Sequence, residues 1–236
     1  MPGMSRLTDQ KRATIPVLPF NPLAVVSPLF YVNPGDESFV PSVSHPGEDA
    51  GADIRAYVKD TYKLDSAITF YRDFESWMLK YGIRIYIDGE VFTSESESDF
   101  IDTIEKCGGA VMIYPGETVL VNSGFKVLLP KLDGLGSPWN NLLSVYKIVP
   151  RSGLAHKHKI VVTNSPGIID SGYQDWVKVS LTNRGVDYHV FTHGSRIAQG
   201  LCELVIDQSK CKYTTNSSVF GVTARSTGGF GSTRIE

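Results

Sequence analysis

Gly167-Ile168-Ile169-Asp170-Ser171-Gly172-Tyr173 is the stretch around which the chain is organised. Two short β-type runs flank it, Lys159 to Thr163 and Trp176 to Leu181. Between them stand turn formers: Asn164, Ser165, Pro166, Gly167, Asp170 and Gly172. The pattern predicts a β-hairpin with one carboxylate, Asp170, and one aromatic ring, Tyr173, near its tip. A hairpin loop leaves backbone N–H and C=O groups unpaired, which suits reading the hydrogen-bonding edge of a flat base. The same residues also describe a plain surface hairpin with a turn-favouring Asp, so the neighbouring segments decide.

A chain of 236 residues fits one domain with extensions. Hydrophobic residues make up 42% and charged residues 20%, enough apolar material for a core. The net charge of −2, from 23 basic and 25 acidic residues, argues against a nucleic-acid binder held by bulk electrostatics. Any phosphate binding must then be local and geometric. Cys107, Cys202 and Cys211 are odd in number and lack C-x-x-C spacing, as expected for reduced thiols in a cytoplasmic protein. No apolar run approaches ~18 residues and no secretory h-region is visible. Neither a membrane nor a nucleic-acid partner is expected.

Outward from the central stretch, the chain divides into four parts. Residues 1–45 form a Pro-rich N-terminal arm in which Leu29 to Val32 reads as a first strand. Residues 46–57 and 109–222 form a β domain, residues 58–108 an insertion, and residues 223–236 a mobile C-terminal lid. Within the insertion, Phe70, Phe74, Trp77, Met78 and Tyr81 recur at helical spacing before Gly82. Ile83, Ile85 and Ile87 then alternate, Asp88-Gly89 signals a tight turn, and Val91-Phe92 returns. Phe100, Ile101 and Ile104 suggest a second helix closed by Gly108, giving a helix–hairpin–helix unit. From Ala110 onward, short strands with frequent turns imply a sandwich or barrel of jelly-roll type.

Several segments carry chemistry. Glu48 to Ala56 places small residues beside acids; Asp53 can pair with an Arg or hold a metal-bound water, and Arg55 reads as a strand-edge ion-pair residue. Arg151-Ser152-Gly153 directly follows a strand, and its guanidinium, hydroxyl and glycine N–H can hold phosphate oxygens. His156 and His158, at i and i+2 on an expected strand, would share one face but lack a third ligand nearby. Gln199 is a neutral donor suited to a phosphate oxygen, and Arg196 reads as a structural ion-pair partner. In the tail, Arg225 can neutralise a terminal phosphate and Phe230 can stack on a base. Gly231 and Ser232 lie beside them in a glycine-rich run that can close as a lid.

Taken together, AGADIRA at 50–56, PRSGLAHKH at 150–158, NSPGIIDSGY at 164–173, GSRIAQ at 194–199 and RSTGGFGST at 225–233 resemble the five ordered motifs of the trimeric dUTPases, the deoxyuridine triphosphate nucleotidohydrolases. The resemblance covers about residues 46–57 and 109–233. It implies an all-β, distorted jelly-roll homotrimer with sites shared between chains, carrying here a small α+β insertion. It also implies dUTP diphosphatase activity: hydrolysis of dUTP to dUMP and pyrophosphate, with Mg2+ held by the triphosphate and water and Asp53 at most behind it. By the same carry-over, Asp170 would activate the attacking water and Tyr173 would exclude a ribose 2′-OH. Asn164 and the backbone of Gly167, Ile168 and Ile169 would read uracil. Arg151, Ser152, Gly153 and Gln199 would hold phosphates, Lys178 would touch substrate, and Arg225, Phe230, Gly231 and Ser232 would act from a neighbour's tail.

Four residues depart from the family pattern. Gly172 stands where many members have a second Asp, Asp175 replaces the usual Gly after Tyr-x, and Ser226 with Arg234 replaces glycines flanking the lid. Two other readings compete. A dCTP deaminase shares the fold but needs a Glu where this chain has Ser180. A dUTPase-like regulatory scaffold would instead use residues 58–108 to bind an unknown protein partner.

Overall fold

Thirteen short strands in four sheets carry the part of the chain that the computed structural model describes, residues 27–58, 84–93 and 97–221. The expected helix at 70–81, the arm before residue 27 and the tail with Arg225, Phe230, Gly231 and Ser232 lie outside those residues. The sheet that positions most of the candidate site has the order β10 (Gly167–Asp170), β8 (Leu142–Val149), β13 (Arg196–Ile206), β2 (Ala52–Arg55), all antiparallel. A second sheet sets β11 (Lys178–Asn183) between β6 (Thr118–Asn122) and β9 (Ile160–Val162). β1 (Leu29–Val32) pairs with β7 (Phe125–Leu128). The all-β fold with few helices agrees with the expectation.

Strand alternation places the core. Along β11, Val179 and Leu181 are buried while Lys178, Ser180 and Thr182 face outward. These residues join Ile54, Phe125, Tyr146, Ile148 and Phe191 in one apolar cluster. Tyr146 reaches across β13 at Gly200, where a Cβ would fall 1.9 Å from the Tyr146 hydroxyl, so only glycine fits opposite that ring.

The insertion does not stand apart. β3 (Ile85–Ile87) and β4 (Glu90–Val91) form the expected hairpin, with Asp88 (φ 53°) and Gly89 (φ 91°) both in the left-handed region its turn requires. β3 then pairs in parallel with β12 (Tyr188–Thr192), whose other side pairs with β5 (Ala110–Ile113). The expected helix forms as α1 (Glu97–Lys106). Its Phe100 and Ile104, one turn apart, bury themselves with Ile85, Ala110 and Val190 in a second cluster.

Two sequence expectations change. The runs flanking the central stretch do pair, Val162 opposite Leu181, but the second begins at Lys178 rather than Trp176. The stretch between them is no open loop. Gly167–Asp170 is itself a strand, and it crosses to the other sheet to pair with β8, where Ile169, opposite Tyr146, packs against the core. The His156 segment is also different. Ser152–Lys157 is a short helix, α2, anchored by buried Leu154, so His156 lies in its last turn and His158 is its C-cap rather than both lying on a strand.

Candidate active site

β10 is an edge strand. One side bonds to β8, and its other side meets no strand among the described residues, so backbone donors and acceptors of Gly167–Asp170 are directed outward there. The Asn164 amide lies over Gly167: a Cβ there would sit 3.4 Å from Asn164 Nδ2 and 3.5 Å from Oδ1. Asn164, Gly167, Ile168, Ile169, Lys178 and Ser180 meet around a recess of about 80 Å3. Ser180 donates to Thr163 Oγ1 at 3.0 Å, which contacts Thr182 Oγ1 at 2.7 Å, forming a hydroxyl row along the adjoining strand faces.

Asp170 ends β10 and is solvent-exposed; its side chain makes no hydrogen bond among the described residues. The backbone then turns, with Tyr173 N–H donating to the Asp170 carbonyl at 3.0 Å. The Tyr173 hydroxyl donates to the Trp176 carbonyl at 2.9 Å, which fixes the ring in the turn after β10. Partial burial, and secondarily Asp175, raises the pKa of that hydroxyl. Lys178 Nζ lies 4.0 Å from Asp175 Oδ2, an exposed pair of little energetic weight.

A second cleft, of about 400 Å3, lies at the far edge of the sheet and is lined by Arg55, Asp88, Arg151, His193, Ser195 and Arg196 among others. Its organising group is Asp53, whose side chain is only 8% exposed. Oδ1 accepts from Arg151 Nε at 3.0 Å and Oδ2 from Arg196 Nη1 at 3.1 Å. Both carboxylate oxygens are therefore occupied by guanidinium groups. The expected ion-pair role of Arg196 is seen here. Arg55 differs from expectation: its Nη1 donates to the Gly194 carbonyl at 2.9 Å, not to a carboxylate.

Ser152 and Gly153 open α2 directly after Arg151, and a Cβ on Gly153 would meet nothing within 4 Å, leaving its backbone accessible to a ligand. Gln199 lies on β13 opposite both Asp53 and Val149, and its side chain covers Gly51 at 3.6 Å. Asp170 is opposite Val145 on the same strand β8. Four residues along β8 and two strand spacings thus separate Asp170 from Gln199, roughly 16 Å on one face of the sheet. The sequence motifs marked both groups; the hairpin residue Asp88, which lines the second cleft, was read only as a turn former, since local turn chemistry accounted for it fully.

Fold and clefts together define an all-β jelly-roll protein with its candidate chemistry divided between two ends of one sheet. A family model described as dUTPase matches residues 145–234. The deoxyuridine 5′-triphosphate nucleotidohydrolase of Mesorhizobium japonicum is 40% identical over 124 residues, covering 52% of this chain and 67% of the relative. The protein of the same name from Treponema pallidum is 38% identical over 128 residues, covering 54% and 77%. Among solved structures, the Staphylococcus bacteriophage 80alpha dUTPase with dUPNHPP superposes with a TM-score of 0.53 at 15% identity, covering 89% of this chain and 99% of that one, a likeness of fold. The chain belongs to the dUTPase family.

Proposed function

We propose that this protein hydrolyses dUTP to dUMP and pyrophosphate. The observation that carries the reading is the edge strand β10, which joins an outward-facing backbone at Gly167–Ile169, the Asn164 amide and the Asp170 carboxylate in four consecutive strand residues and their neighbour. The backbone and amide pair with the uracil edge. Asp170 orients a water and accepts its proton as the new O–P bond forms at the α-phosphorus and the bond to the pyrophosphate oxygen breaks. Tyr173, held against Trp176, packs on the deoxyribose and leaves no room for a 2′-OH. Ser152, Gly153, Gln199 and Arg151 hold the phosphates, and Lys178 borders the base recess.

Both Asp53 carboxylate oxygens are taken by arginines. This favours Mg2+ arriving as part of the Mg–dUTP substrate, where it offsets phosphate charge. The roughly 16 Å between Asp170 and Gln199 favours sites completed by other copies of the chain, as in a homotrimer. Exposed Leu143, Ile168, Leu204 and Ile206 supply apolar surface for such contacts. Arg225, Phe230, Gly231 and Ser232 close the site from a neighbour's tail. Ser180, engaged with Thr163 at the recess, supplies no carboxyl group for proton transfer at cytosine, which weighs against deamination.

The test is pyrophosphate release from dUTP, with dCTP and UTP as controls, followed by Asp170→Asn. The variant is expected to lose roughly 10²- to 10⁴-fold in kcat while dUTP binding is retained. Turnover at the wild-type rate would remove Asp170 from its role.

A further inference from the structure

We propose that Asp88, at the tip of the inserted hairpin, is a positioning residue for the phosphate-holding wall. It would act through the turn Thr192–Ser195 rather than by touching the nucleotide. The proposal rests on the reading of Arg151, its neighbours and Gln199 as that wall.

The Asp88 carboxylate accepts the Thr192 backbone N–H at 2.9 Å and the Thr192 hydroxyl at 2.5 Å, and also the Ser195 hydroxyl. Three donors on one carboxyl group make a strong local anchor. From the other side, Gly194 N–H donates to the Ala56 carbonyl at 2.8 Å, Ala56 N–H donates to the Ser195 carbonyl at 2.8 Å, and Arg55 holds the Gly194 carbonyl. The turn is thus gripped between the insertion and β2.

The residue that leaves this grip is Arg196. Its guanidinium bonds Asp53, and its carbonyl lies 3.4 Å from Arg151 Nη1. Arg196 pairs with Arg55 on β2, but a register shift before Ala198 separates that pair from the rest of the β13–β2 ladder, so the ladder alone does not fix Arg196. The anchored turn does, and through Asp53 it also sets Arg151, directly before Ser152 and Gly153. The hairpin turn itself requires only a residue tolerant of positive φ, a need Gly89's neighbour would meet equally well as Asn or Gly. What the Asp88 side chain adds, and glycine cannot, is the hold on 192–195.

Asp88→Gly keeps the turn and removes the hold. Asp88→Asn keeps an acceptor for Thr192 N–H and two donors for hydroxyl groups that accept as readily as they donate. Both variants are measured for dUTP hydrolysis and for binding of a non-hydrolysable dUTP analogue and of deoxyuridine, which has no phosphate. Expected for Asp88→Gly is about a tenfold weaker KM and analogue affinity with deoxyuridine binding unchanged, largely restored in Asp88→Asn. Wild-type analogue affinity in Asp88→Gly, or equal weakening of analogue and deoxyuridine, would overturn the proposal. If the variants show this split in binding yet the wild-type protein releases no pyrophosphate, the activity reading fails and the positioning role stands. If it binds no analogue, both fall.

Discussion

The two ends of the β10–β8–β13–β2 sheet are built by opposite means. At the β10 end, the recess is made of backbone, one amide and a row of hydroxyl groups over a continuous apolar core. At the β2 end, a nearly buried carboxylate holds two guanidinium groups, and the turn feeding one of them is anchored from an inserted hairpin. That hairpin is itself docked through polar rings: Tyr86 stacks on buried His189 at 5.0 Å and 9°, with His158 edge-on to both. If the proposed site is right, the difference teaches that recognition of a base and grip on phosphates are separable here. The first depends on strand pairing, the second on charge and on a segment outside the family motifs.

Acid should separate the ends most. Burial first, and then the neighbouring His158, depress the pKa of His189 from 6.5 to about 4. Burial and Lys157 lower that of His158 too, against weaker pulls from Glu90 and Asp187. Between pH 6.5 and about 4 the unfolded chain takes up a proton that the folded His189 refuses, so stability falls as pH falls, by about 3 kcal/mol in total. Urea midpoints across that window should show the loss, and His189→Phe, which can still stack on Tyr86, should flatten it. An unchanged slope in that variant would place the acid sensitivity elsewhere.

Next in size is Asp53→Asn, expected to cost roughly 2 kcal/mol because it leaves two guanidinium groups without their shared anion. Denaturant unfolding measures this, and deoxyuridine binding should survive at concentrations where the variant is folded. Equal loss at both ends would erase the distinction drawn above. The smallest effect should be Tyr146→Phe, beneath both ends. Its hydroxyl is buried without a hydrogen-bond partner among the described residues, and its pKa is raised by burial. Removing that hydroxyl is expected to be neutral or to stabilise by up to about 1 kcal/mol in a thermal melt.

Much of this was legible in the residues. Leu29–Val32 matches the strand read from its patterning, Asp88-Gly89 makes its turn, and Phe100 and Ile104 bury as a helical pair. These are local signals. The misreadings concern what lies far apart in the chain. Nothing near Gly167–Asp170 says that it will choose β8 over its own flanking runs, and nothing near Ile85 says that it will lie parallel to Tyr188–Val190. The His156 segment failed for another reason: a helix of one and a half turns with a single buried Leu154 is too short to show a period. At the candidate site, the motif residues were visible because their chemistry is concentrated in short runs. Asp88 was not, because its turn explained it and its partners lie 104 and 107 residues away.

The parallel pairing of Ile85–Ile87 with Tyr188–Val190 has a further consequence for solubility. Without the hairpin, β12 would end its sheet with a row of open peptide groups, an invitation to other chains. With it, the outermost strand among the described residues is Glu90–Val91, two residues long and led by a negative charge, a poor template for growth. Excising residues 58–108 would therefore uncover a sticky border, and precipitation of such a deletion would say nothing about what the inserted segment contributes to turnover.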